Sequence, residues 1–133
     1  MSKVLIVDDH AAFLKGLKLM VKEIAEVEVV EEAGSGETFL KTLEIVNPDL
    51  VFMDIRMSGI SGLEASRKAL KINPELKIII LTMYGEFKYL EEAMTTGVRG
   101  FLLKPPTLQQ IKEAYSRVIS GGVYFPDFTK NHV

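Results

Sequence analysis

The feature that most restricts the fold is a set of short, wholly apolar runs at 4–7, 50–53 and 78–81. Runs of this length predict β-strands that are covered on both faces, as the strands of parallel sheets are. The run at 50–53 ends directly at the carboxylate of Asp54. Because burying an unpaired carboxylate costs several kcal/mol, we expect Asp54 to lie at the rim of the sheet and to face a ligand or a cation.

Helical patterns alternate with these strands. Between the strands, apolar residues recur at spacings of three and four, which is the period of an amphipathic helix. The first helix is expected to reach Glu26, with Asp8 or Asp9 as its cap, and the fourth to begin at Gly85 and to stop at Gly97. Since parallel strands need crossover helices, the alternation predicts an α/β fold with a parallel sheet between two helix layers. Five strands are predicted, at 3–7, 27–33, 50–53, 77–82 and 100–103, each followed by a helix.

Caps and further residues can be assigned to several of the helices. Ser35 and Thr107 stand where the N-caps of the second and fifth helices are expected. Ile72 and Met94 continue the apolar spacing of the third and fourth helices. This spacing predicts that the two residues lie in those helices.

Composition limits the class of protein. A chain of 133 residues has the size of one domain, and the absence of cysteine excludes disulfides and thiolate metal sites. The net charge of -2 is spread along the chain, without the basic footprint of a nucleic-acid-binding domain. The apolar run at 4–7 is too short for a signal peptide or a membrane span, so we expect a cytoplasmic protein with no membrane partner.

Four of the five predicted strands end at a residue that is capable of site chemistry. These residues are Asp8 with Asp9, Asp54, Thr82 and Lys104. Each has an ordinary explanation alone, since aspartates cap helices, threonine is common in strands and surface lysines are usually solvated. In a parallel sheet, however, all carboxyl ends lie at one edge, where ligands bind. The coincidence of these positions favours a shared site.

Electrostatics indicates what such a site would hold. The carboxylates of Asp8, Asp9 and Asp54 repel one another, and Lys104 offsets only one of the charges. A hard divalent cation with oxygen ligands fits the remainder, so we expect Mg²⁺, with Mn²⁺ as the alternative. With a metal, an ammonium group and the hydroxyl of Thr82, the site has the parts for phosphoryl transfer to a carboxylate, and Asp54 is the natural nucleophile.

Four motifs follow one another along the chain: Val7-Asp8-Asp9-His10, Met53-Asp54-Ile55-Arg56-Met57 with Gly59 and Gly62 after it, Leu81-Thr82-Met83, and Phe101-Leu102-Leu103-Lys104-Pro105. In this order they resemble the receiver domain of two-component response regulators. The resemblance covers about residues 3 to 122. It implies a three-layer flavodoxin-like (CheY-like) (βα)5 sandwich of strand order 2-1-3-4-5, in which Asp54 accepts a phosphoryl group from a sensor histidine kinase.

The resemblance implies a set of metal ligands. Asp9 and Asp54 would bind Mg²⁺ directly and Asp8 through water, and the backbone carbonyl of Arg56 would complete the protein ligands. The domain would catalyse only its own phosphorylation and dephosphorylation. It would therefore not be a turnover enzyme.

The resemblance also implies a phosphoryl-binding pair and a switch. Thr82 and Lys104 would contact the phosphoryl oxygens, and the peptide bond between Lys104 and Pro105 is often cis in this family. Movement of Thr82 toward the phosphoryl group would be coupled to inward rotation of Phe101, which lacks the hydroxyl of the commoner tyrosine. Phosphorylation would remodel the face made by helix 4, strand 5 and helix 5, including Phe87, Tyr89, Glu91 and Tyr115.

Finer similarity points to transcriptional regulators with a LuxR-type helix-turn-helix domain after the receiver, as in the segment Gly121-Gly122-Val123-Tyr124-Phe125-Pro126. On this interpretation, residues 1–122 form the receiver and residues 123–133 form a tail or the start of a linker. DNA binding would belong to an output domain outside this chain, which is an excised or a stand-alone receiver. A homodimer would use the face of helix 4, strand 5 and helix 5, or that of helix 1 and helix 5.

Three alternatives share parts of this pattern. A flavin- or dinucleotide-binding protein would need a first loop that cradles phosphate, where this chain has Asp8 and Asp9. A magnesium-dependent phosphatase would need an acid two residues after its nucleophile, where Arg56 stands. A receiver that folds without being phosphorylated is disfavoured, because every expected site residue is present.

Arg56 and Tyr84 occupy positions that control water access in receivers. Neither is an evident water-positioning group, which predicts a long-lived phosphoryl group.

Overall fold

A computed structural model describes residues 1–83 and 87–126 of the chain. Its strands are β1 (Ser2–Val7), β2 (Val27–Ala33), β3 (Leu50–Asp54), β4 (Lys77–Thr82) and β5 (Gly100–Leu103). They form one sheet in the order β2-β1-β3-β4-β5, and every pairing between neighbours is parallel. The strand order that the resemblance implied is confirmed.

Helices connect the strands and cover both faces of the sheet. They are α1 (Ala11–Lys22), α2 (Gly36–Ile45), α3 (Gly62–Ile72), α4 (Leu90–Thr96) and α5 (Leu108–Ile119), and a 3-10 turn at Phe87–Tyr89 precedes α4. One core lies between the sheet and the pair α1 and α5, and the other lies under α2, α3 and α4. The predicted three-layer sandwich is confirmed. Within the described part of the chain, no helix is long and apolar enough to cross a lipid bilayer.

The central strand, β3, is buried along its whole length. Val51 and Met53 pack on the side of α2, α3 and α4, whereas Leu50 and Phe52 pack on the side of α1 and α5. Each of these side chains stabilises the fold by about 1.5 to 3 kcal/mol through its burial. Cover on both faces thus explains the continuous apolar run, and it fixes Asp54 at the end of the central strand.

Side-chain caps begin two helices as predicted. The hydroxyl of Ser35 accepts a hydrogen bond from the backbone N–H of Thr38 at 3.0 Å, and that of Thr107 accepts one from Gln110 at 3.1 Å. Gly97 ends α4 with a φ of 106°, in the left-handed region that favours glycine. These signals were readable in the sequence because each depends on only one turn of backbone.

The start and the end of α1 differ from the prediction. His10, and not Asp8 or Asp9, occupies the N-cap position, and no capping hydrogen bond from its side chain is found within the described residues. The carboxylate of Asp8 instead accepts a hydrogen bond from the backbone N–H of His10 at 2.8 Å. The helix ends at Lys22 rather than at Glu26, because residues 23–26 form the turn that leads into β2.

Two apolar residues that continue the predicted helical spacing lie in their helices but are exposed. Met94 is 51% exposed. The helix α4 has only 7 residues, and the residues that it buries are Leu90 and Ala93. Ile72 is the last residue of α3 and is 75% exposed. The predicted start of the fourth helix at Gly85 lies outside the described residues.

The chain after α5 pairs with the free edge of β5. The carbonyl oxygen of Tyr124 accepts a hydrogen bond from the backbone N–H of Phe101 at 2.9 Å, and its own N–H donates to the carbonyl of Arg99 at 2.8 Å. Phe125 packs, partly buried, against the core that contains Phe101. Ordered packing therefore continues to Phe125, and the boundary between receiver and tail at residue 122 stays a prediction.

Gly62 is the point at which α3 meets the end of β3. A Cβ atom at this position would overlap the backbone carbonyl oxygen of Asp54. The N–H of Gly62 also donates to the carbonyl of Ile55 at 2.8 Å, which holds the two segments together. Only glycine lets the helix begin this close to the strand that carries Asp54.

The variant Gly62→Ala is expected to lower the free energy of unfolding by about 3 kcal/mol, because backbone atoms must shift to admit the methyl group. Urea denaturation followed by circular dichroism measures this change. Gly16→Ala is the matched control, since an added Cβ at Gly16 meets no described atom within 4 Å. Gly16 lies inside α1, so its replacement should raise stability by about 0.5 to 1 kcal/mol. Equal effects of the two substitutions would contradict the close approach at Gly62.

Candidate functional site

The carboxyl ends of four strands bring the predicted site residues to one edge of the sheet. Asp8 follows β1, Asp54 ends β3, Thr82 ends β4 and Lys104 follows β5. The parallel register pairs neighbouring strands up to these positions. Residues that are far apart in the sequence thus become neighbours because the strands all run in the same direction.

Lys104 forms the electrostatic centre of this edge. Its Nζ lies 2.8 Å from Oδ2 of Asp8 and 3.0 Å from Oδ1 of Asp54, and all three side chains are buried. The ammonium group also stands 4.4 Å from the centroid of the Phe13 ring, at cation–π distance. The bond between Lys104 and Pro105 is cis, as the resemblance implied. One cation is therefore shared between two buried carboxylates.

The Asp54 carboxyl is enclosed by its neighbours. Only 3% of the residue is exposed, so the expected rim position is correct for the strand end but wrong for the side chain, which Lys104 covers. Burial raises the pKa of the Asp54 carboxyl above its ordinary value. The hydrogen bond and the charge of Lys104 lower this pKa, and the charges of Asp8 and Asp9 raise it. The carboxylate is thus held in an environment that disfavours its charge.

Two buried oxygens at this edge have no hydrogen-bond partner within residues 1–83 and 87–126. They are Oδ2 of Asp54 and Oγ1 of Thr82. Leaving a buried polar atom unpaired costs about 1 to 3 kcal/mol. Such a cost at two atoms on adjacent strands indicates a site that is completed by a bound group.

The acidic cluster fits a divalent cation. Asp8, Asp9, His10 and Asp54 each offer one donor atom, and these atoms all lie within 4.8 Å of one another. Carboxylate oxygens are the ligands that Mg²⁺ prefers in proteins. Oδ2 of Asp54 has no partner among the described residues and can bind such an ion. His10 was not among the predicted ligands. Its position directly after two aspartates is the one sequence signal that could have indicated it.

The loop after β3 is held by two carboxylates, and sequence reasoning missed both contacts. Oδ2 of Asp9 accepts a hydrogen bond from the backbone N–H of Ser58 at 3.1 Å. Glu37, in the first turn of α2, accepts one from Ile60 at the same distance. Arg56 lies exposed at the start of this loop, and its role as a carbonyl ligand stays a prediction. Tyr84, the other predicted gate to water, lies outside the described residues.

The two residues of the proposed switch are both buried. Thr82 ends β4, and Phe101, only 1% exposed, points into the core under α2, α3 and α4. Tyr115 was predicted to belong to the outer face made by α4, β5 and α5, and this prediction is wrong. It is buried on the opposite side of the sheet, where its hydroxyl donates to Oγ of Ser2 at 2.6 Å. The side chain of Phe87, also predicted there, lies outside the described residues.

Comparison with known proteins decides the family. Residues 4–116 match the family model of the response regulator receiver domain. The chain belongs to the receiver domain family. Receiver domains are the signalling domains of response regulators, which receive phosphoryl groups from sensor histidine kinases.

Named relatives and solved structures agree with this assignment. The chain is 37% identical over 124 residues to the response regulator GacA of Pseudomonas aeruginosa, which covers 93% of this chain and 58% of that protein. It is 34% identical over 130 residues to the transcriptional regulatory protein DegU of Brevibacillus brevis, with 97% and 55% covered. A response regulator receiver domain protein from Clostridium thermocellum superimposes with a TM-score of 0.84 at 29% identity, over 90% of this chain and 95% of that one. This receiver chain thus spans little more than half the length of the two curated relatives.

The variant Asp54→Asn is expected to be more stable than the wild type at about pH 7 in metal-free buffer, by about 1 kcal/mol. Burial in the folded state raises the pKa of Asp54. The protonated carboxyl therefore favours the folded state, and this stabilisation is lost as the pH rises through the raised pKa. The advantage of the variant should therefore shrink as the pH falls toward about 4. Thermal denaturation across this range measures it.

The exposed Glu28 offers the control, because Glu28→Gln removes a solvated carboxylate. This control should leave stability within about 0.5 kcal/mol of the wild type at every pH. A variant Asp54→Asn that is less stable than the wild type at neutral pH would show that attraction to Lys104 outweighs the cost of burial.

Proposed function

We propose that Asp54 accepts a phosphoryl group from the phosphohistidine of a sensor histidine kinase, in a reaction that depends on Mg²⁺. The observation that carries this proposal is the Asp54 carboxylate itself. Lys104 holds one of its oxygens at 3.0 Å, and the other has no hydrogen-bond partner in the described part of the chain. A nucleophile needs one available oxygen in a fixed orientation. Membership of the receiver family supports the same conclusion.

The proposed transfer forms one bond and breaks one. Oδ2 of Asp54 attacks phosphorus, the bond between phosphorus and the histidine nitrogen breaks, and its electron pair leaves with the imidazole. The product is an acyl phosphate on Asp54. The ammonium group of Lys104 offsets charge on the phosphoryl oxygens, and the hydroxyl of Thr82, which is buried without a described partner, donates a hydrogen bond to one of them.

The metal would be held by the residues already at this edge. Asp9 and Asp54 would bind Mg²⁺ directly, Asp8 through water and Arg56 through its backbone carbonyl, and Mn²⁺ can take the same place. When bound, the ion offsets negative charge on the carboxylates and on the incoming phosphoryl group. The clustered donors of Asp8, Asp9 and Asp54 support this assignment.

The site is proposed to act as a switch and not as a turnover enzyme. A phosphatase of this chemistry needs an acid two residues after its nucleophile, and Arg56 stands there. Without such an acid or a group that positions water, hydrolysis of the acyl phosphate is slow. The covalent product on Asp54 is then the signal.

The proposal places this domain in a two-component system of the cytoplasm. Residues 1–122 form the receiver, and residues 123–133 form a tail or the start of a linker. The output is transcription, through a LuxR-type helix-turn-helix domain outside this chain. A homodimer would form through α4, β5 and α5 or through α1 and α5. The relatives named as response and transcriptional regulators, and the partial coverage of their length, support this context.

Incubation with acetyl phosphate and Mg²⁺ is expected to add one phosphoryl group to the chain, because a small phosphoryl donor can replace the kinase. Intact-mass spectrometry detects the adduct. Asp54→Asn should abolish it, whereas Asp49→Asn, an exposed aspartate at the opposite end of β3, should keep it. Removal of the metal with a chelator should slow the reaction by about tenfold or more. Wild-type protein that binds Mg²⁺ and acquires no adduct would disprove the proposal.

Phosphorylation is further expected to rearrange the outer face of α4, β5 and α5. Thr82 moves toward the phosphoryl group, and the packing around Phe101 must adjust to that movement. Phe101 is already turned inward and has no hydroxyl group, so any such switch rests on packing alone. Its amplitude is then set by how tightly the core under α4 is filled.

Addition of beryllofluoride, which mimics the phosphoryl group, should shift amide resonances along α4 and β5 in heteronuclear NMR spectra. The shifts should extend beyond the immediate neighbours of Asp54, because Thr82 and Phe101 connect the site to these elements. Asp54→Asn should show none of them. Shifts confined to the ends of β1 and β3 would contradict the proposed coupling.

A further inference from the structure

His10 is turned onto the acidic cluster although it has room to turn away. Its side chain is 69% exposed, yet Nδ1 lies 3.2 Å from Oδ1 of Asp8 and 3.1 Å from Oδ1 of Asp9. The backbone N–H of the same residue donates to Oδ1 of Asp8 at 2.8 Å, which fixes the base of the side chain. An exposed imidazole in this position is thus directed at the carboxylates by its own main chain.

Lys104 and Ser58 contact several of the carboxylate oxygens in this cluster. Lys104 binds Oδ2 of Asp8 and Oδ1 of Asp54, and the N–H of Ser58 binds Oδ2 of Asp9. Lys104 and Ser58 leave Oδ1 of Asp8, which accepts the backbone N–H of His10, and also Oδ1 of Asp9 and Oδ2 of Asp54. The last of these is buried, with no hydrogen-bond partner among the described residues. One donor atom from each of Asp8, Asp9, His10 and Asp54 lies within 4.8 Å of the others.

The spacing of these donors is that of a metal coordination shell. Ligands at about 2.1 to 2.2 Å from an ion and at right angles to each other lie about 3.0 to 3.1 Å apart. Nδ1 of His10 stands 3.1 Å from its Asp9 oxygen and 3.2 Å from its Asp8 oxygen. The imidazole thus lies where a further ligand, beside Asp9 and Asp54, would lie.

We propose that Nδ1 of His10 is a direct metal ligand, so that this site holds a mixed oxygen and nitrogen shell and prefers Mn²⁺ or another first-row transition metal ion to Mg²⁺. The inference rests on the proposed function, because it names a further ligand for the ion of that same site. Carboxylates alone suit Mg²⁺, whereas an added imidazole raises affinity for transition ions far more than for Mg²⁺. Nδ1 carries no proton in the loaded state, and Nε2 stays at the solvent side.

The competing explanation is a hydrogen bond from a protonated Nδ1 to Asp8 and Asp9. In that case the imidazole only offsets charge in the metal-free state, and an incoming ion displaces it. The two explanations predict different surroundings of the bound ion. Only direct ligation places a nitrogen nucleus in its first coordination shell.

Pulsed electron paramagnetic resonance of the full chain loaded with Mn²⁺ separates the two explanations. Wild-type protein is expected to show the echo modulation of a directly bound imidazole nitrogen, and His10→Ala is expected to lose it. His132→Ala is the matched control, because the sequence holds 2 histidines and His132 is the other. In calorimetric titrations, the ratio of Mn²⁺ to Mg²⁺ affinity should fall by about tenfold in His10→Ala and should not change in His132→Ala.

Bound Mn²⁺ without nitrogen modulation in the wild type would overturn the inference and leave the proposed phosphoacceptor function standing. A modulation that survives in His10→Ala would overturn it as well. Failure of the wild type to bind either ion would overturn both the inference and the metal dependence of the proposed function. The acetyl phosphate reaction with Mg²⁺, measured separately, tells these cases apart.

Discussion

The ion pair that Lys104 forms with Asp8 and Asp54 is the interaction on which the rest of the site depends. Lys104 follows β5, Asp8 follows β1 and Asp54 ends β3, so a single ammonium group connects three strand ends across the sheet. Removing Lys104 would cost about 3 to 5 kcal/mol, because the carboxylates of Asp8 and Asp54 would be left buried without compensation. Even with Lys104 in place, the edge keeps an excess of negative charge from Asp9. The site is therefore stable as a protein structure but electrostatically incomplete until a cation binds.

Much of the fold follows from the sequence because it rests on local patterns. An apolar run such as 50–53 has one ordinary place in a protein, the buried centre of a parallel sheet, and the alternation with helices then fixes the layers. Ser35, Thr107 and Gly97 marked helix ends correctly, since each acts within a turn of its own backbone. The convergence of Asp54 and Lys104 also follows, because parallel strands present their carboxyl ends at one edge.

The remaining features depend on packing across the chain, which no local pattern contains. Tyr115 has the helical spacing of a core residue, but only the assembled layers show on which side of the sheet it lies and that Ser2 accepts its hydrogen bond. Met94 fits an apolar periodicity and is exposed, because the short α4 buries just one narrow face. The orientation of His10 is set by a backbone hydrogen bond to Asp8, and the sequence shows only that the two are close.

The pairing of Tyr124 with β5 has a mechanical consequence. Its two backbone hydrogen bonds, to Arg99 and Phe101, fasten the chain to β5, the strand that directly precedes Lys104. The described segment up to Pro126 is therefore held by β5 as well as by its connection to α5. Because these bonds join backbone to backbone, a shift of β5 would carry the paired segment with it. The strand thus links Lys104, at its carboxyl end, to the segment that lies along its side.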